Sequence, residues 1–411
     1  MTLRERIAAE IEECGPLPFS RYMELCLYEP RLGYYARGSA QFGRVGDFYT
    51  SSDVHAVFGR LLARQFDEMW RALGSPARID LLELGPGRGL FAQDMLDWSE
   101  KKFPDFFAAL HYGFAESSPR LRQRIQQTLA GHFASTKCSF VERLPGASLA
   151  KDRNEPICHP KRGRKLSSKD LEPRGRVANR SSFSVPVETP LIVFGNEFFD
   201  ALPVEVVSAE GVLRIALRDG QFLETWWPAS ERELEYLDHY SVHPEPGERV
   251  EAPLLAQDCA ARVARLITRG FFIAIDYGYT RDELLAGRHR GTIMAYRQHS
   301  ASSNPYEAPG EQDITAHVNF TALAAAIEQN GMRAHRLLTQ SQFLMGIGET
   351  TEFSDVFADC QLPQERAKVA LQLKHLVTPA GMGETFQVLV GSKGVGLETV
   401  STLSGLRFGQ Q

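Results

Sequence analysis

The run Ile79-Asp-Leu-Leu-Glu-Leu-Gly85-Pro-Gly87-Arg-Gly89-Leu-Phe-Ala-Gln-Asp-Met-Leu96 constrains the fold more than any other part of the chain. Residues suited to a buried strand lead into three alternating glycines, and a helical pattern follows at once. Glycine is needed where a backbone turns sharply at the carboxyl edge of a parallel sheet and must approach a ligand with no Cβ in the way. A ligand at that edge is therefore expected. The dinucleotide fingerprint G-x-G-x-x-G or A is not met, because Leu90 stands at its last position; an NAD-dependent oxidoreductase is disfavoured on that ground.

The rest of the chain extends the same architecture. Apolar runs at Tyr112–Ala115, Leu191–Phe194 and Phe271–Ile275 alternate with helical segments, which predicts an α/β fold with a mostly parallel sheet. Thr385–Val390 has no crossover helix behind it and predicts a late antiparallel strand. Before the sheet, Leu3–Cys14 and a segment opening at Ser20 predict two helices, followed by a loop rich in glycine and aromatic residues and a strongly amphipathic helix from Val57 to Trp70. Residues 1–75 are thus expected to form an N-terminal helical cap with its loop, and residues 76–411 the main domain, with a β-rich insertion at 203–245.

Charge is ordinary for a globular protein, 46 Lys and Arg against 51 Asp and Glu, which argues against a general nucleic-acid coat. Residues 149–182 depart from this, with ten basic side chains against four acidic ones and too little apolar content for a core. A basic solvated loop is expected there. The six cysteines form no C-x-x-C pair, so neither a zinc ribbon nor any other metal site is written in the chain. The acidic residues near Met1 and the shortness of every apolar run predict no membrane insertion and a cytoplasmic location.

Glu83, Gly85, Gly87 and Gly89 spell E-x-G-x-G-x-G, similar to the first motif of class I S-adenosylmethionine methyltransferases. A nucleoside at this edge needs a carboxylate at the end of the next strand for its ribose hydroxyls, and Glu116 stands there, 27 residues beyond Gly89. The alternative, a surface Glu at a helix start, stays open. After the strand at Leu191 comes the turn Asn196-Glu197-Phe198-Phe199-Asp200-Ala-Leu-Pro203. Glu197 and Asp200 are candidates for holding a methyl acceptor; if it is a guanidinium, a carboxylate binds it bidentately and leaves the reacting nitrogen more nucleophilic. Capping of a following helix is their other reading.

With these blocks go Tyr28-Glu-Pro-Arg-Leu-Gly-Tyr-Tyr35, Gly46-Asp47-Phe-Tyr-Thr50-Ser-Ser-Asp-Val-His-Ala-Val-Phe-Gly59, Ile275-Asp276-Tyr277-Gly278 and Asp313-Ile-Thr-Ala-His317-Val-Asn-Phe320. In that order they resemble the MidA-like proteins, whose mitochondrial members are the complex I assembly methyltransferases. The resemblance implies a class I (Rossmann-like) methyltransferase sheet, S-adenosyl-L-methionine as cofactor, and methyl transfer to a protein side-chain nitrogen, an arginine in the mitochondrial relatives. It implies a protein acceptor, a respiratory-complex subunit by the same token, rather than nucleic acid. Asn196 joins the cofactor side; Asp47 and Thr50 fall in a loop over the cofactor, and Asp276, Tyr277 and His317 on the acceptor side. A non-catalytic scaffold keeping the cofactor fold is the rival reading.

Overall fold

Thr2 opens the first helix, α1 (Leu3–Cys14): its hydroxyl accepts the Glu5 N–H while the Glu5 carboxylate takes the Thr2 N–H, a reciprocal cap. The computed structural model describes residues 1–36, 56–141, 182–183, 188–285, 290–297 and 300–408, with backbone alone at 182–183 and 284–285. After α2 (Phe19–Tyr28), α3 (Ala56–Ala72) buries Val57, Phe58, Leu61, Leu62, Phe66, Met69 and Trp70, the stripe its sequence period sets out.

The central sheet contains β1 (Ile79–Leu84), β2 (Leu110–Ala115), β3 (Cys138–Val141), β4 (Leu191–Asn196), β5 (Gly270–Tyr279) and β6 (Phe386–Lys393). Their spatial order is β3-β2-β1-β4-β5-β6. All neighbours are parallel except β5 and β6, which run antiparallel with Ile273 opposite Val390. The mostly parallel sheet with a late antiparallel strand is the expected fold class. From β1 the chain moves outward to β2 and β3 and then returns to β4 on the other flank. That reversal opens a crevice at the carboxyl ends of β1 and β4, where open α/β sheets bind ligands. β3 has no counterpart in the sequence reading, because Cys138-Ser-Phe-Val141 is too short and mixed to show a period.

Both faces of the sheet are covered, which is why its strands read as continuous apolar runs. On one face Ile79, Leu81, Ile192, Phe194 and Ile273 meet α3 and α4 (Leu90–Lys102). On the other, Leu82, Leu84, Val193, Phe272 and Ala274 meet α6 (Leu254–Leu266) and α7 (Phe320–Glu328), while α5 (Pro119–Thr128) follows β2. The segment 203–245 supplies strands Glu205–Ser208, Gly211–Arg218 and Gln221–Trp227 and helix Glu231–Tyr240. Leu17–Pro18 and Val250–Ala252 join those strands in a second, antiparallel sheet. α1 and α2 bury Leu3, Ile7, Tyr22 and Met23 with Leu213, Ile215 and Phe222 of that sheet. The amino-terminal helices and the insertion therefore share one core, while α3 belongs to the central one. The basic stretch 149–182 lies outside the described residues except for Ser182, where strand Ser182–Phe183 runs parallel to β3.

Phe194 is fully buried, with ring centroids 4.7 Å from Phe91 and 5.7 Å from Phe66. Phe194→Ala should therefore lower unfolding free energy by about 3 to 5 kcal/mol in a denaturant titration. A loss under about 1 kcal/mol would contradict this packing.

Candidate active site

Register brings the sequence-predicted residues to one edge. Leu84 lies opposite Ala115 on one side and Gly195 on the other, and Asn196 lies opposite Ile275, so the turns after β1, β2 and β4 begin at nearly one level while β5 continues past it through Asp276 and Tyr277. Gly85, Gly87 and Gly89 all take positive φ, +62°, +54° and +76°. Their surroundings differ. A Cβ on Gly85 would come within 2.9 Å of the Phe198 ring, whereas one on Gly87 would meet no atom of the described residues within 4 Å. The first glycine lets the acceptor-side turn pack against the glycine turn, and the second is clear of the described residues. Gly89 precedes α4 as its cap residue.

Glu116 follows β2 with one carboxylate oxygen on the Ser118 N–H at 2.7 Å. Burial raises its pKa to about 7 against the pull of the Ser118 and Ser117 N–H groups and Arg122. Arg122 donates to the Glu116 carbonyl at 2.6 Å and the Val141 carbonyl at 3.0 Å, tying the ends of β2 and β3 together. Glu83 is set differently. Its carboxylate is buried on the α4 face of β1, where it accepts the Tyr112 hydroxyl at 2.9 Å, so it supports the glycine turn from beneath. Burial pushes its pKa up to about 8, the Tyr112 hydrogen bond acting the other way.

Across the crevice, Asp276 organises the turn after β4. It is fully buried; one carboxylate oxygen accepts the N–H of Phe198, Phe199 and Asp200 at 3.1, 2.8 and 3.3 Å, and the other accepts that of Tyr277 at 2.9 Å. Burial raises its pKa to about 7 despite these four donors. Glu197 is left at φ +50°, a conformation that costs a non-glycine residue roughly 1 kcal/mol and persists only where surroundings enforce it. Its N–H bonds the Ile275 carbonyl at 2.9 Å and its carboxylate accepts the Asn196 amide at 2.9 Å. No helix follows the turn, so Glu197 and Asp200 do not serve as helix caps.

Asp200 is 3% exposed, and one of its carboxylate oxygens has no hydrogen-bond partner. Burial first, then the charges of Asp276, Asp313 and Glu197, push its pKa well above the usual carboxylate range. Four tyrosines, Tyr28, Tyr35, Tyr277 and Tyr296, stand close enough to feel its charge. Tyr28 donates to the Ala201 carbonyl at 2.9 Å and Tyr35 to Asp313 at 3.0 Å. The outcome is a buried cluster of carboxylates and phenols beside the glycine turn, suited to a cationic ligand. Tyr28, Tyr35, Asp313 and Tyr296 had no assigned role in the sequence; the first three stand at block ends, while nothing marks Tyr296. His317 lines a narrow pocket with Phe199, Pro253, Gln257 and Leu323, and the N–H of its neighbour Ala316 bonds the Asp200 carbonyl at 2.9 Å. Asp47 and Thr50 lie outside the described residues. Among the described residues there is no cluster that could hold a metal and no helix long and apolar enough to cross a membrane.

A family model described as "Putative S-adenosyl-L-methionine-dependent methyltransferase" matches residues 61–338. The chain is 29% identical to a Drosophila melanogaster protein named protein arginine methyltransferase NDUFAF7 homolog, mitochondrial, over 96% of this chain and 85% of that one. It is 26% identical to the Homo sapiens protein arginine methyltransferase NDUFAF7, mitochondrial, over 92% and 80%. A crystal structure of a Burkholderia thailandensis protein bound to S-adenosyl-homocysteine superposes with a TM-score of 0.76 at 28% identity, covering 97% of this chain and 94% of that one. The scaffold reading finds no support in relatives named as enzymes. The expected cytoplasmic location is overturned by the same names, which place those relatives in mitochondria; it rested only on features that the sequence was read as lacking.

The crevice suits a nucleoside cofactor: Gly87 is clear of the described residues, Glu116 follows β2, and among the described residues the buried Asn196 amide oxygen has no hydrogen-bond partner. By calorimetry, Gly87→Val should abolish binding of S-adenosyl-L-methionine, and Glu116→Ala should weaken it by about 1 to 3 kcal/mol. Undiminished affinity in both folded variants would remove the site. For Glu83 the sign is set by a pKa higher in the folded than in the unfolded chain. Wild-type protein should lose stability relative to Glu83→Gln as pH rises from about 4.5 to about 8, where only the unfolded chain ionises, with no further change above. Melting temperatures across that range test this; a pH-independent difference would mean that Glu83 is ionised in the fold.

Proposed function

The chain belongs to the S-adenosyl-L-methionine-dependent methyltransferase family matched over residues 61–338, and we propose that it methylates the guanidinium of an arginine in a protein acceptor, bound in the chamber around Asp200. S-adenosyl-L-methionine is its cofactor. The observation that carries the acceptor reading is the buried Asp200 oxygen left without a partner among Glu197, Asp276 and Asp313. Relatives over nearly the whole chain that are named protein arginine methyltransferases support it. A respiratory-complex subunit as acceptor, which the family resemblance implies, belongs to the same proposal.

Bound, the cofactor supplies a methyl already activated on a sulfonium, so the protein's task is positioning and electrostatics. Burial and the neighbouring acids favour the neutral form of Asp200; an entering guanidinium acts the opposite way, favouring the carboxylate and forming charge-assisted bonds with it. Carboxylates facing two guanidinium nitrogens concentrate positive charge there, which leaves the third nitrogen with more of its lone pair. Phe198 and the tyrosines exclude water, which strengthens that attraction. Asn196 and Glu197 join the two halves of the crevice, since the Asn196 amide donates to Glu197 while its oxygen remains open.

Glu197→Gln and Asp200→Asn keep shape and remove charge. Each should retain cofactor affinity while lowering methyl transfer about 10- to 1000-fold, or roughly 1.4 to 4 kcal/mol in the barrier. Labelled cofactor incubated with lysate of the source cell, followed by mass spectrometry of the labelled protein, measures the rate and identifies the residue. Wild-type rates in both variants, or label on a residue other than arginine, would sink the reading.

A further inference from the structure

We propose that Asp313 is a second acceptor-binding carboxylate, and that Tyr35 positions it, so that Asp200 and Asp313 together select a planar guanidinium over an ammonium. The proposal rests on the arginine reading above and adds the residues that would set its specificity. Asp313 begins strand Asp313–Thr315, paired antiparallel with Met294–Arg297, and Tyr296 lies directly opposite it. Asp313 is 4% exposed and accepts the Tyr35 hydroxyl at 3.0 Å. It is near enough to Asp200 for each charge to count against the other, and Tyr28 feels both. Two carboxylates placed together out of water are unfavourable unless a cation or a proton lies between them. The Asp200 oxygen that lacks a partner marks where a donor is missing.

Geometry favours a guanidinium. Its five N–H donors form a rigid plane that can engage two carboxylates at once, whereas an ammonium is a compact point charge with three rotatable donors. Selection then depends on both carboxylates being fixed, and Tyr35 fixes one. The phenol is itself anchored from the cofactor side, because the Tyr35 carbonyl accepts the Ser118 hydroxyl at 3.3 Å and the Ser118 N–H is held by Glu116. The Tyr28 and Tyr35 rings lie 5.4 Å apart, which stiffens the segment further. Among the described residues, the titratable groups whose charge interacts with Asp200 include Glu197 from its own turn, Asp276 and Tyr277 from β5, Asp313 and Tyr296 from the paired strands, and Tyr28 and Tyr35 from the amino-terminal segment.

The test uses the full chain saturated with S-adenosyl-homocysteine and two probes, N-acetyl-arginine methylamide and N-acetyl-lysine methylamide, titrated by ligand-observed NMR. Wild-type protein should bind the arginine probe and prefer it. Asp313→Asn, which can still accept from Tyr35, should weaken arginine binding about 10- to 100-fold and erase the preference, with S-adenosyl-homocysteine affinity within twofold of wild type. Tyr35→Phe should weaken it about 3- to 10-fold with the same selectivity loss. Removing the Asp313 charge eases ionisation of Asp200, so the acidic limb of residual arginine binding should move to lower pH, a shift that mere loosening of the fold would not give. Arginine binding that survives Asp313→Asn with its preference intact overturns this proposal alone. Should Asp313→Asn fail to fold, an unaltered preference in Tyr35→Phe overturns it. If wild-type protein binds neither probe, or prefers lysine, the arginine reading falls and this proposal with it.

Discussion

The Asp276 carboxylate holds the site together. Four backbone N–H groups converge on it, three from the turn after β4 and one from its own neighbour on β5. A turn that leaves a sheet edge has amides with no strand to pair with, and burying them unsatisfied would cost about 1 to 3 kcal/mol each. Asp276 satisfies them from the adjacent strand. The position of Phe198 against Gly85 and the left-handed backbone of Glu197 follow, because both belong to the turn that Asp276 gathers. Its role is therefore to position the turn after β4.

A second constraint is electrostatic. Glu197, Asp200, Asp276 and Asp313 sit in one another's field, and the described residues that press on Asp200 are acids and phenols. Such crowding is unfavourable for the empty protein and is relieved by protons or by a cation. A site that must accept a cation gains from being arranged in advance, since oriented carboxylates need no rearrangement when charge arrives. On the proposed reading, stability given up in the empty protein returns as affinity when the cation binds.

Much of the framework was legible in the sequence, for reasons that also explain what was not. Strands covered on both faces leave apolar runs, so Ile79–Leu84, Leu191–Phe194 and Phe271–Ile275 stand out, and the glycine turn marks the carboxyl edge. The motif marked Glu83 for the cofactor, but alternation along β1 puts it on the face of Ile79 and Leu81, opposite Leu82 and Leu84, which is where it is found. Four-residue β3 was too short to read. The long-range bonds were beyond reach: Asp276 lies 76 to 78 residues from the amides it holds at Phe198, Phe199 and Asp200, and Tyr35 lies 278 from Asp313. Local pattern records which face a side chain takes and says little about what it meets there.

The two halves of the site are coupled by contact in two places. On the inside, Phe198 of the acceptor turn rests where a side chain on Gly85 would be, so any shift of one turn is felt by the other. On the outside, a hydrogen-bonded path runs from Glu116 through the Ser118 N–H and hydroxyl to the Tyr35 carbonyl, and from the Tyr35 phenol to Asp313. Methyl transfer needs donor and acceptor atoms held about 3 Å apart and in line, a tolerance that two independently mobile loops could not maintain. Here the elements that would carry each substrate are packed and bonded to one another before either is present. The amino-terminal segment, whose helices share their core with the second sheet, supplies Tyr28 from the end of α2 and Tyr35 from the stretch after it. The cap thus reaches the carboxylate cluster directly, through the Tyr28 bond to the Ala201 carbonyl and the Tyr35 bond to Asp313.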